Sequence, residues 1–278
     1  MRYTAKLELL KLVFLPLELV QVLPAIIAAL ISRFINKKID VGIGPDPLIN
    51  NIFHKKAILN EGYSCETFCY STYYITKDFD FIFTKKSKLS IILAIFLRWP
   101  YLFCIFRYKV MFFYFNGGVL NPYSYILWRF EPFLYYLAGI ETVLLAYGGD
   151  IQDLTRTPNY LFRHAVSKDY PNHKYRIQKI RKKIDLWTQR SSHVIAGCDW
   201  IEYLYHWDSV LISHFCIDEK IIPPIEKCNS SGPFIVLHAP NHRTIKGTQY
   251  IEKAITCLKA QGLNIELKII EKVSNEDI

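Results

Sequence analysis

The feature that most restricts how this chain can fold is an alternation of short β-rich runs with helical stretches. That order is the signature of a parallel sheet with crossover helices. Ile39–Ile43, Tyr63–Phe68, Phe79–Phe83, Val110–Phe115, Glu141–Tyr147 and His193–Ala196 read as strands. Between them, Leu48–Asn60 sets Ile49, Ile52, Phe53 and Ala57 on one helical face, and Pro122–Leu137 reads as another helix. In Lys174–Arg190, Ile177, Ile180, Ile184 and Trp187 recur at helical spacing, and the remaining positions carry seven Lys or Arg against Asp185 alone. This basic face is either simply solvated or attracts anionic head groups or a phosphate-bearing acceptor.

The 278 residues include 34 Lys+Arg and 25 Asp+Glu, a formal charge of +9, and 51% are hydrophobic. A disordered tail and a small disulfide scaffold are thereby excluded, and the length suits one large domain or two ordinary ones. The chain also holds 18 Phe, 19 Tyr and 5 Trp. With a mean hydropathy of +0.11, basic charge and aromatics together fit an anionic membrane surface better than nucleic acid. The 7 cysteines are scattered, without a CxxC pair, which points to a reduced cytosolic compartment and to no metal.

Leu12–Ser32 contains only Glu18 and Gln21 as strongly polar side chains, close to the ~20 residues that cross a bilayer. Pro16 and Pro24 interrupt it, and Arg2, Lys6 and Lys11 on one side face Arg33, Lys37 and Lys38 on the other. Three readings stay open: a spanning or re-entrant anchor, an interfacial helix pair, or a buried helix of the fold. Leu89–Phe106, broken by Pro100 and carrying Arg98, is either a core helix or a second membrane-facing surface. Clustered Pro, Asn, Ser and Gly from Pro223 to Pro233 mark a boundary. The expected organisation is an apolar segment over 1–38, a Rossmann-like domain over 39–228 and the start of a second over 229–278.

In that second unit, strand Phe234–His238 feeds a loop holding Asn241, His242, Arg243, Lys246 and Gly247, followed by helix Thr248–Gln261 and strand Ile265–Ile270. Cations beside helix N-terminal amides make a site for a diphosphate. In the first unit, Tyr147-Gly148-Gly149-Asp150 ends a parallel strand, where ligands of open α/β sheets bind. Asp150 either orients an acceptor hydroxyl and accepts its proton, or caps the following turn. Gly42 and Gly44 flank the end of the first strand and either approach a ligand or merely permit a tight turn.

The stretch HAPNHRTIKGTQYIEKAITCLKAQG resembles the start of the nucleotide-binding domain in the group 1 GT-B glycosyltransferases. The family loop reads as an arginine, four residues, then Lys-Gly. Lys246-Gly247 matches the second half, whereas Asn241 stands where the arginine falls and Arg243 lies two positions on. The resemblance covers residues 234–278 by motif and the first 230 as architecture only. It implies a GT-B-like α/β fold, a nucleotide-sugar donor held by Gly44, Asn241, His242, Arg243, Lys246 and Gly247, and an acceptor side at Asp150. It further implies transfer to a glycan or lipid-linked acceptor with retention of configuration, without metal or other cofactor, at the cytoplasmic side of the cell membrane during surface-polysaccharide synthesis. Complete members carry a downstream Glu-x7-Glu motif that finds no match here, so the expectation is a chain truncated within the second domain or completed by a second chain. A non-catalytic acceptor-binding or membrane-docking protein is the alternative.

Overall fold

A computed structural model describes residues 13–72, 77–84, 88–212, 232–240, 242–271 and 273. Its main body is a seven-stranded parallel sheet in the order β3-β2-β1-β4-β5-β6-β7. The strands are β1 Ile39–Ile43, β2 Cys65–Cys69, β3 Phe81–Ile82, β4 Tyr108–Tyr114, β5 Glu141–Leu145, β6 His193–Gly197 and β7 Ser209–Leu211. The helices are α1 Leu15–Arg33, α2 Asn50–Asn60, α3 Lys88–Phe96, α4 Trp99–Arg107, α5 Leu127–Leu137, α6 Tyr160–Asp169 and α7 Ile177–Arg190. The chain builds outward from β1 through β2 and β3, then returns to place β4 on the other side of β1, with Val41 opposite both Cys65 and Val110. The architecture is thus α/β and Rossmann-like, with an apolar helix before the first strand.

β4 shows why its sequence reads as an unbroken apolar run. Met111, Phe113 and Phe115 enter the larger core with Tyr101, Leu134, Tyr135, Ile184 and Trp187. Phe112 and Tyr114 enter the smaller one with Ile43, Cys65 and Leu145 on the opposite face. A parallel strand covered on both faces has no reason to alternate polar with apolar. The Phe113 and Trp187 rings meet edge-on at 4.7 Å, and Ile180, Ile184 and Trp187 are buried, the stripe that their spacing in α7 predicts.

Several elements differ from the sequence reading. Leu89–Phe106 is two helices bent by 67°, and the bend falls at Arg98, whose φ of 48° is left-handed, while Pro100 sits harmlessly in the first turn of α4. Pro122–Leu137 opens as a short 3₁₀ turn over Asn121–Tyr123 before α5 begins at Leu127. Helix α6 and strand β7 had no counterpart in the reading. The boundary expected from Pro223 to Pro233 falls mostly outside the described residues.

Neither Pro16 nor Pro24 interrupts α1, which runs for 19 residues and is long and apolar enough to cross a membrane by length and composition alone. It is nevertheless built into the fold. Its buried residues are Glu18, Ala25, Ala29 and Ser32, a stripe of small side chains with one carboxylate. Glu18 is fully enclosed and accepts hydrogen bonds from the backbone amides of Tyr125 (2.7 Å), Ile126 (2.8 Å) and Leu127 (3.2 Å) and from the Ser124 hydroxyl (3.1 Å). These are amides that the start of α5 leaves unpaired, and a carboxylate there also meets the positive end of the helix dipole.

A separate unit is formed by β8 Phe234–His238, α8 Thr248–Ala260 and β9 Ile265–Ile269. The two strands pair in parallel, from Phe234 opposite Ile265 to His238 opposite Ile269, as the βαβ reading expects.

Candidate functional site

The order of strands reverses between β1 and β4, and in open parallel sheets ligands bind in the crevice that this reversal leaves at the carboxyl ends. Two pockets open at that end. The first, of about 160 Å³, is lined by the turn after β1 (Pro45, Asp46, Pro47), by Tyr70 and Ser71 after β2, and by Asn116, Gly117, Gly118 and Asn121 after β4. The second, of about 510 Å³, is lined by Gly149 and Gln152 after β5, by Phe162, Tyr170, His173 and Arg176, by Trp200 after β6, and by Ile245 and Lys246 of the second unit.

Asn116 organises the first pocket. Its side-chain amide donates to Asp46 Oδ1 at 3.1 Å and to the Tyr147 hydroxyl at 2.7 Å, so one residue at the end of β4 joins the turns after β1 and β5. Lys183 of α7 donates to the Asn116 carbonyl from below. Asp46 keeps its second oxygen, Oδ2, buried and without a hydrogen-bond partner among the described residues. Burial pushes the Asp46 carboxyl up to about 6, opposed by the Asn116 hydrogen bond and the Lys183 charge. Glu131 lies beneath, accepting from the Leu120 amide and the Tyr135 hydroxyl, and burial pushes it up to about 7. A Cβ at Gly118 would stand 2.4 Å from Glu131 Oε1, so only glycine admits this carboxylate so close to the backbone.

Asp150 is 1% exposed. Its Oδ2 accepts from the Phe115 amide at 3.0 Å and its Oδ1 from the amides of Tyr147 and Gly148 at 3.1 and 2.9 Å. These bonds tie the end of β4 to the end of β5, which makes Asp150 a positioning residue, and the nearby carboxylate oxygen left without a hydrogen-bond partner among the described residues is the buried Oδ2 of Asp46. Burial, aided by the nearby Asp46 charge, pushes Asp150 up to about 7 against the three amides. At Gly44 a Cβ would lie 2.2 Å from the Phe68 carbonyl, so close packing on β2 accounts for glycine there. The basic helix is partly spent inside the protein: Arg181 grips Asp153 through Nε and Nη2 at 3.0 and 2.8 Å.

In the second unit, Asn241 lies outside the described residues. The His242 ring stands edge-on to Tyr170 with centroids 5.6 Å apart. Arg243 does not face the larger pocket's lining; it donates to Glu271 at 2.8 Å through two nitrogens and has Glu252 at 3.5 Å. Gly247 has a φ of 68° and precedes α8, whose first turn has no side-chain cap. The structure therefore brings Lys246 and the loop after β5 onto one cleft, adds Arg176, and leaves Arg243 neutralised by carboxylates. Neither a family model, nor a curated protein, nor a solved structure corresponds to this chain.

The sequence reading missed Asp46, Asn116 and Arg176. A carboxylate three residues after the first strand was the available signal for Asp46. No group of three or more His, Cys, Asp or Glu side chains placed to hold a metal ion occurs among the described residues.

Proposed function

We propose that this protein is a GT-B-type glycosyltransferase that moves a sugar from a nucleotide-sugar donor to a glycan or lipid-linked acceptor at the cytoplasmic side of the cell membrane. The observation that carries the reading is the cleft of about 510 Å³ shared by Lys246, Arg176 and the Gly149 loop. Lys246 and Arg176 give this lining two cations against the single carboxylate of Asp169, which suits a diphosphate. As the glycosidic bond breaks, negative charge grows on the departing diphosphate, and Lys246 and Arg176 stabilise it without reorganising. Asp46 lines the smaller pocket, and its carboxylate, whose buried Oδ2 has no partner among the described residues, accepts a hydrogen bond from an acceptor hydroxyl seated there and raises its nucleophilicity. Among the described residues the β8–β9 sheet has two strands, and a donor domain of this type adds further strands to such a sheet.

The test is sugar transfer from a panel of nucleotide sugars, with Lys246→Ala and Asp46→Asn beside the parent. Lys246→Ala should lower donor use at least about tenfold, near the ~1.5–3 kcal/mol of a charge-assisted hydrogen bond. Asp46→Asn should lower kcat with little change in donor KM. Unchanged kinetics in both variants would remove the assignment. Acceptor binding without transfer under every donor would favour the non-catalytic acceptor-binding reading instead.

A further inference from the structure

Helix α1 is inside-out for a helix packed on a water-soluble domain. The buried side chains are Glu18, Ala25, Ala29 and Ser32, with Val22, Ile26 and Ala28 packed partly against the core, while the larger Leu19, Val20, Leu23, Ile27, Leu30 and Ile31 are exposed, Val20 at 72%. An ordinary amphipathic helix does the reverse. The apolar surface continues onto α3, where Leu89, Ile92, Leu93 and Phe96 are exposed. The two helices are joined, since Gln21 donates to the carbonyls of Ile95 and Phe96 at 2.9 and 2.8 Å and the Phe14 and Phe96 rings meet at 6.0 Å. On the other side of α1, α5 presents Phe130, Phe133 and Tyr136. Soluble proteins rarely leave so many adjoining aliphatic side chains in water.

The charge on this surface has one sign. In α1, α3, α4 and α5 the only carboxylates are Glu18 and Glu131, and both are fully buried. Arg33 and Arg129 are exposed at its rim, and the Arg129 guanidinium lies over the Tyr125 and Trp128 rings at 5.9 and 5.3 Å. An apolar face rimmed by cations and aromatic rings, without an exposed acid among the described residues of these four helices, complements an anionic lipid leaflet.

The mode of contact follows from how α1 is held. Near its start Glu18 caps α5, and Arg98 donates to Gln21 at 2.8 Å. At its end, buried Lys37 donates to the carbonyls of Ser32 and Ala138 at 3.0 and 2.9 Å. The helix is fastened along its length, and crossing the bilayer would strip a carboxylate of four donors. We infer that α1 and α3 together dock in the plane of one leaflet of an anionic bilayer, with neither helix spanning it. This deepens the membrane clause of the proposed function, and its readout is independent of sugar transfer.

The test uses the full chain added to preformed vesicles of phosphatidylcholine alone or mixed with phosphatidylglycerol. Flotation should show binding at least tenfold stronger with phosphatidylglycerol, and Leu23→Asp with Ile27→Asp, both at exposed positions, should abolish it while the circular dichroism spectrum stays native. Cysteines introduced as Val13→Cys and Phe34→Cys, in a background with Cys198, Cys216, Cys228 and Cys257 each changed to Ser, should both react with an impermeant maleimide added outside the vesicles. Protection of one end alone means a spanning helix and overturns the proposal. So does a native protein that ignores vesicles and buries the face by self-association in sedimentation. Vesicle binding without any sugar transfer would sink the enzymatic reading and leave the docking intact.

Discussion

The seven-stranded sheet and the β8–β9 unit use the same parallel pairing and similar residues, yet they end in opposite surroundings. Tyr108–Tyr114 and Phe234–His238 are both short aromatic and aliphatic runs. In the first, Met111, Phe113 and Tyr114 are fully buried between two layers of helices. In the second, Phe234 is 67% exposed and Ile235 and Leu237 are also in water, because one helix covers one face and only Thr248 and Ile255 of α8 are buried. A strand's sequence records what its neighbours could bury, and burial itself comes from those neighbours. Parallel strands in particular need cover on both faces.

The comparison can be broken at its strongest point first. Trp187→Ala should cost about 3–5 kcal/mol of stability in urea melts, as large buried aromatics do. A loss under about 1 kcal/mol would mean that the first region is no better packed than the second. Glu18→Ala should come next at about 2 kcal/mol, because it leaves the amides of Tyr125, Ile126 and Leu127 without their acceptor. If it is neutral, α1 is an appendage of the domain.

A pH series sharpens the same contrast. The folded carboxyls of Asp46, Asp150 and Glu131 sit at about 6, 7 and 7, above their unfolded values. The native state therefore holds more protons than the unfolded one from about pH 4 to pH 7, and stability falls as pH rises through that window by up to about 1.4 kcal/mol per unit for each retained proton. Glu131→Gln should flatten the slope, and a denaturation series that gains stability toward pH 7 would contradict the burial described here. At the small end, Leu237→Ala should stay within about 0.5 kcal/mol. A clear destabilisation there would show that the β8–β9 sheet is covered in solution.

The strands were legible because β-rich runs bounded by turn residues survive in any context, and the α7 stripe was legible because its period is long. Ser209–Leu211 was too short for either signal. Helix α6 buries only Val166, so it leaves no apolar stripe to read. Lys246 could be singled out from its loop, but the pairing of Arg243 with Glu271 joins residues 28 positions apart, which spacing cannot reveal. The same holds for Asp46 and Asn116, 70 positions apart. Glu18 read as a blemish in an apolar segment because its donors lie in another helix.

That separation has a further consequence for how the protein is made. The Tyr125 amide that Glu18 accepts lies 107 residues downstream. At a synthesis rate of about 5–20 residues per second, the first helix waits roughly 5–20 s for the amides that satisfy its one carboxylate. During that interval a nascent chain shows its most greasy segment to whatever stands near the ribosome.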